Sequence, residues 1–209
     1  MKRKIYVVGG ALGYANWMQG KIVKTIQEAD LVVFTGGEDV SPHIYGEEKN
    51  PKTGNNERRD DEEAEIFRLA LYLNKHIIGI CRGSQFTCAM SGGRLVQHQQ
   101  NPHYIHDITT STGEVIPITS THHQAMYPYD MYEGNYKLLA WTEGISKMHE
   151  NGLEKEISDK PFKEAEICYF PKTKVLGIQG HPESMAAHKY PTTFEYLSQL
   201  LDNHLEDKL

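Results

Sequence analysis

His76-Ile77-Ile78-Gly79-Ile80-Cys81-Arg82-Gly83-Ser84-Gln85-Phe86-Thr87-Cys88-Ala89-Met90 is the stretch whose reading decides the fold. The apolar and small residues from His76 to Ile80 read as a buried strand, and Gln85 to Met90 reads as a helix. Cys81 therefore falls on a strand-to-helix turn. Glycine on either side suits a sharp, crowded bend that holds a side chain out at the C-terminal end of a strand, as in a nucleophile elbow. A thiol at a helix start also faces the positive end of the peptide dipoles, which favours the thiolate, the form that attacks carbonyl carbon. Free cysteine is just as often a small apolar core residue, so the elbow alone leaves both readings open.

Outward from the elbow, the same pattern repeats. Ile5 to Val8 and Leu31 to Phe34 are short β-branched or aromatic runs, and a helix is expected between them from about Tyr14 to Glu28. Continuous apolar runs separated by helical spacing are the mark of a parallel sheet covered on both faces. Gly9-Gly10 with Gly13 fits neither dinucleotide-binding nor P-loop spacing and reads as a plain turn. The second run ends in Thr35-Gly36-Gly37-Glu38-Asp39, at the C-terminal end of a strand, where ligand sites form in a parallel sheet, and two glycines let backbone N–H groups turn toward a ligand. Ser41 to Asp60 reads as a long loop near the site. Asp61 to Asn74 reads as a helix with Ala64, Phe67, Ala70 and Leu71 on one face and a solvated acidic start, Asp60 to Glu63.

Beyond the elbow, Gly92-Gly93 ends the helix. His98, His103 and His106 are expected in a polar loop, lining a site or the surface; no cysteine or carboxylate completes a zinc ligand set with them. Val115 to Ile118 reads as a strand leading into Ser120-Thr121-His122-His123-Gln124, a dense polar set suited to lining a pocket. Leu138 to Trp141, Glu166 to Phe170 and Val175 to Gln179 are further strands, the last two forming a hairpin across Pro171 to Lys174. The final strand runs into Gly180-His181-Pro182-Glu183. A histidine at a strand end with a carboxylate two residues on supplies what a thiol nucleophile needs, a base and an acceptor that fixes the base's tautomer. Thr192 to His204 is an amphipathic helix with Phe194, Leu197, Leu200 and Leu201 toward the core.

The 209 residues suffice for a single domain, 1–209, with its own core. A net charge of −6 with no long run of one sign argues against a nucleic-acid-binding surface. The apolar run after Met1-Lys2-Arg3-Lys4 is too short for a signal peptide or a membrane span, so a soluble cytoplasmic protein is expected. Three cysteines without metal-ligand spacing suit a reducing compartment better than a disulfide framework.

Thr35-Gly36-Gly37, Gly79 to Gln85, Gly92-Gly93 and Gln179-Gly180-His181-Pro182-Glu183, in this order, resemble the class I glutamine amidotransferase superfamily. Thr35 to Pro42 with Tyr45-Gly46-Glu47-Glu48, and Ser120 to Gln124, look most like its γ-glutamyl-γ-aminobutyrate hydrolase branch, within the peptidase family of γ-glutamyl hydrolases. The resemblance covers about residues 31 to 185 and leaves 125 to 165 without a usable motif. It implies a flavodoxin-like α/β fold, a mostly parallel sheet with helices on both faces and a small antiparallel hairpin region. The N-terminal edge is expected to be trimmed, because only 34 residues precede Thr35. It implies a Cys81, His181 and Glu183 triad, an oxyanion hole from the amides of Gly37 and Arg82, and substrate contacts from Gln85, Ser120, His122 and His123, with neither metal nor cofactor.

Three functions follow as expectations. The first is a free-standing hydrolase of γ-glutamyl amides, suggested by His122-His123-Gln124 and by the absence of a fused synthetase domain. The second is a glutaminase subunit that passes ammonia to a separate synthetase. The third is a non-catalytic binding or regulatory protein that keeps the fold, against which the complete triad argues. The group attached to the γ-carbonyl is not legible; Glu47 and Glu48 are the candidates for favouring an amine-bearing one.

Overall fold

A computed structural model describes residues 3–100, 104–119, 121–143, 149–152, 155–156 and 163–209. The strands are β1 (Lys4–Val7), β2 (Lys21–Ile22), β3 (Leu31–Phe34), β4 (His76–Ile80), β5 (Arg94–Val96), β6 (His98–Gln99) and β7 (Ile105–Thr110). They continue with β8 (Val115–Thr119), β9 (Ala125–Tyr127), β10 (Lys137–Glu143), β11 (His149–Asn151), β12 (Lys155–Glu156), β13 (Lys163–Phe170) and β14 (Val175–Ile178). The helices are α1 (Glu57–Tyr72), α2 (Arg82–Met90) and α3 (Pro191–Leu205).

The main sheet runs β2-β1-β3-β4-β14-β13-β10-β7-β8. From β2 to β14 every neighbour is parallel. Alternate residues of these strands serve opposite faces. Ile5, Leu31, Val33, Ile78 and Ile80 pack with Leu197, Leu200 and Leu201 of α3. Val32, Phe34 and Ile77 pack with Ala64, Phe67 and Ala70 of α1 and with Phe86 and Cys88 of α2. Both faces of the parallel half are thus buried, which is why its strands read as unbroken apolar runs.

From β14 outward the sheet turns antiparallel through β13, β10, β7 and β8, a larger antiparallel half than one hairpin. β13 and β14 form the expected hairpin across Pro171–Thr173. Three further pairings, β13–β10, β10–β7 and β7–β8, extend it; β10 comes from the region without a motif, where local pattern does not say which strand lies beside which.

The segment between β1 and β3 departs from expectation. No helix covers Tyr14 to Glu28; the chain forms 3₁₀ turns at Leu12–Met18 and Ile26–Glu28 around β2. Gln19 ends the first turn in the left-handed region, and β-branched Ile22, Val23 and Thr25 favour extension. Pairing with β1 then captures the segment, with Lys21 N–H on the Arg3 carbonyl at 2.8 Å and Val23 N–H on that of Ile5 at 2.9 Å. A Cβ at Gly20 would collide with the Ile5 side chain, so this edge packs closely.

His106 does not lie in a polar loop. It sits on β7, buried, with Nε2 at 2.9 Å from Oε1 of buried Glu166 on β13. His98 is on β6 and His103 lies outside the described residues. Among the described residues, no helix is long and apolar enough to cross a membrane.

Candidate active site

The sheet pairing brings the ends of β3, β4 and β14 side by side, and the loops leaving them meet. Cys81 follows β4 with φ 53° and ψ −115°, backbone angles an L-residue reaches only when its surroundings enforce them. Its N–H is anchored on the Ile178 carbonyl at 2.9 Å, and its own carbonyl accepts from Ser84 N–H at 2.9 Å and Gln85 N–H at 3.2 Å. The flanking glycines answer to close approach. A Cβ on Gly79 would strike the Gly83 carbonyl, and one on Gly83 would strike the carbonyl of Phe34 in β3. The elbow is therefore pressed between its own strand and the neighbouring one. Burial pushes the Cys88 thiol up to about 12 and raises Cys168 as well, so neither is a competing nucleophile at neutral pH.

His181 stands where the chain leaves β14. Its Nδ1–H donates to Glu183 Oε1 at 2.7 Å, and it lines the same cavity as Cys81. Burial works against the imidazolium, but the hydrogen bonds from Cys81 and Glu183 and the negative charge of both outweigh it and raise His181 to about 10. Thr119, the last residue of β8, clamps the backbone of His181 from both sides. Its hydroxyl accepts from His181 N–H at 2.9 Å and donates to the His181 carbonyl at 3.1 Å. Tyr14, from the first 3₁₀ turn, lies beside the imidazole at 6.2 Å between ring centroids, and a Cβ on Gly36 would meet its hydroxyl at 2.5 Å.

Gly37, with φ 147°, carries the turn after β3. The Arg82 N–H is the first amide of α2, where no carbonyl of the helix precedes to receive it. The Arg82 side chain turns the other way, fully buried, with one guanidinium nitrogen on Asp60 and another on Glu63. The acidic start of α1 is therefore no solvated face. Asp60 and Glu63 are buried counter-charges to an arginine one residue from the elbow, which a single-helix pattern does not reveal. The helix also starts earlier than expected, at Glu57, because Asn56 caps it by accepting from Arg59 N–H at 3.2 Å.

A cavity of about 430 Å³ opens beside Cys81 and His181, lined also by Gly37, Arg82, Gln85, His122 and His123. Ser120 lies outside the described residues. Gln85 is buried and donates its amide to the Gln124 carbonyl at 2.8 Å, which also receives His122 Nδ1–H at 2.8 Å. Burial holds His122 below the ordinary histidine value, so it is neutral with its proton on Nδ1. His123 instead pairs with Asp39 at 3.0 Å, and that hydrogen bond raises it against the opposing effect of burial. The cavity takes its carboxylates from Glu38 and Asp39. Glu47 is bound to Arg94 at 2.6 Å, and Glu48 offers its carbonyl to Gln97 at 2.8 Å.

Sequence reasoning missed Tyr14, Thr119 and Arg59. Tyr14 and Thr119 carry no local signal, since each meets His181 only through tertiary packing. Arg59 had one: Arg59 and Glu63 are four apart, the spacing of a helical ion pair.

A family model described as Peptidase C26 matches residues 12–183. The chain is similar to a candidate glutamine amidotransferase-like protein of Lactococcus lactis, YvdE, with 44% identity over 159 residues, covering 74% of this chain and 66% of that protein. The chain thus spans about two thirds of that relative's length. Among solved structures, a candidate GMP synthase subunit from Thermoplasma acidophilum superposes with a TM-score of 0.62 at 16% identity, covering 100% of this chain and 96% of the other. The glutaminase domain of Trypanosoma brucei CTPS, solved with bound acivicin, gives 0.58 at 12% identity, covering 100% and 95%. At these identities the structural likeness is one of fold.

Proposed function

The chain belongs to the Peptidase C26 family, within the class I glutamine amidotransferase superfamily, and on that premise we propose that it hydrolyses γ-glutamyl amides through a γ-glutamyl thioester on Cys81. The observation that carries this reading is that Cys81 and His181 line one cavity, with Glu183 hydrogen-bonded to the far side of the His181 ring. The Cys81 thiolate adds to the γ-carbonyl, and the carbonyl electrons move to oxygen. Gly37 N–H and Arg82 N–H receive that oxyanion. The C–N bond then breaks as His181 passes its proton to the leaving nitrogen, leaving the thioester. Neutral His181 takes a proton from water as the water attacks. Collapse releases glutamate and returns the thiolate and imidazolium. Glu183 keeps Nδ1 protonated and so aims Nε2 at the sulfur.

Gln85, Ser120, His122 and His123 are assigned to the substrate wall. We read residues 1–209 as one domain, since β1 and α3, from opposite ends of the chain, join the same core. The test is glutamate release by purified protein from glutamine and from a panel of γ-glutamyl amines and peptides, beside Cys81→Ala. Cys81-dependent release from a γ-glutamyl amine, with glutamine poor, is the expected result. Equal release by Cys81→Ala would refute the nucleophile.

A second reading is a glutaminase subunit that gives ammonia to a separate synthetase. The 44% identity to a glutamine amidotransferase-like protein supports it. Turnover of glutamine alone, appearing only with a partner protein, would select it.

A further inference from the structure

We propose that Arg59 is a positioning residue that holds the two halves of the oxyanion hole in register. The inference rests on the reaction proposed above. The two backbone donors come from different strand ends, Gly37 after β3 and Arg82 after β4, and among the described residues no backbone hydrogen bond joins the glycine turn to the elbow's amide. A donor of this kind works only if it is already aimed at the oxyanion, within roughly half an ångström. A turn of two glycines has little stiffness of its own.

Side chains of α1 supply the connection. Arg59 donates from Nη2 to the Gly36 carbonyl at 3.1 Å and, more weakly, to that of Thr35 at 3.4 Å. Its guanidinium also lies against the α-carbon of Gly37, where a Cβ would collide with Nη1. From Nε the same arginine donates to Glu63 Oε1 at 2.9 Å, and the other oxygen of Glu63 holds Arg82. Asp60 completes the bracket, with one oxygen on Arg82 and the other accepting Ser41 N–H at 2.8 Å. Glycine turn, Arg59, Glu63 and Arg82 thus form one unbroken series of contacts between the two donors.

Two arginines and two carboxylates balance in charge, and three of the four are almost wholly buried. Buried ion pairs add little stability over apolar packing of the same volume. What they do supply is direction: a planar fork engaging a carbonyl on one side and a carboxylate on the other. Lysine, a single point charge, cannot span both.

The test compares wild-type full chain with Arg59→Met and Arg59→Lys, and with Glu63→Gln in case loss of the guanidinium disturbs folding. The readouts are steady-state glutamate release, alkylation of Cys81 by iodoacetamide, and amide hydrogen exchange over residues 35–38 and 81–84. Alkylation needs no oxyanion hole. Arg59→Met should lower kcat by about 10- to 100-fold, short of the loss from deleting a donor outright, with KM and the alkylation rate within about twofold. Exchange over 35–38 should accelerate about tenfold or more, and Arg59→Lys should fall between. Unchanged kcat, or a fall matched by slower alkylation, would overturn the proposal. Were wild-type protein to release no glutamate from any substrate, the hydrolase reading would fall. Exchange would still decide the positioning claim: unaltered protection over 35–38 in both Arg59 variants refutes it, and faster exchange sustains it.

Discussion

Removing the Cys81 sulfur should make His181 much less basic. His181 is raised from an ordinary value of 6.5 to about 10, against burial that pulls it down. The gap corresponds to roughly 5 kcal/mol in favour of the imidazolium. The hydrogen bond to Cys81 contributes more than that to Glu183, and the charge of Cys81 more than that of Glu183. Cys81 and Glu183 thus both pull the imidazole up, against the cost of burial. In Cys81→Ala the imidazole should therefore fall from about 10 toward its ordinary value, losing a part of that roughly 5 kcal/mol. The assay is an NMR titration of the His181 ring proton in both proteins, with His181→Gln to assign it. The wild-type ring should stay protonated through pH 9. Because the folded value lies above the unfolded one, the stability it confers is complete below about 6.5 and is lost as pH climbs through about 10. A wild-type His181 that titrates near 6.5, or one that Cys81→Ala leaves unmoved, would refute the ion-pair picture of the resting site.

Thr119→Val keeps the shape of the side chain but deletes the hydroxyl clamped to both backbone groups of His181; kcat should fall about tenfold with KM little changed, and Thr119→Ser should restore most of it. Gly83→Ala drives a Cβ into the Phe34 carbonyl, so it should cost a few kcal/mol in urea unfolding, and a stability within about 0.5 kcal/mol of wild type would contradict the close packing. His204, wholly buried on α3, is held by burial and by neighbouring His76 down at about 3, with Nε2–H on the Ile77 carbonyl at 3.0 Å. A basic group buried neutral loses stability as pH falls below its unfolded value, by up to about 1.4 kcal/mol per pH unit between about 6.5 and 3. His204→Gln keeps a donor without a titrating proton and should flatten the acid limb of urea midpoints; an unchanged limb would sink the assignment.

The elbow, the glycine pair and His181-Pro182-Glu183 were all legible in the chain, because each is a local event with a local signature. Glycines stand where backbone crowds backbone, as at Gly79 and Gly83, and a histidine and a carboxylate two residues apart reach each other without help from the fold. The parallel half of the sheet was legible for a similar reason, since burial on both faces leaves unbroken apolar runs. The residues from Tyr14 to Glu28 misled because β-sheet pairing with β1 outweighed a helical pattern. The order of β13, β10, β7 and β8 was likewise invisible, because strand neighbours are chosen by packing across long separations in sequence. Asp60 and Glu63 mark the division most clearly. Along the chain they are two acids at the start of a helix, favourable there through the helix dipole alone. Only the tertiary structure lays the Arg82 guanidinium across them and turns a solvated end into a buried bracket behind Cys81. The sequence by itself determined which groups are present and which backbone bends are possible. Their meeting in one cavity was decided by the register of β3, β4 and β14, a long-range property set by packing.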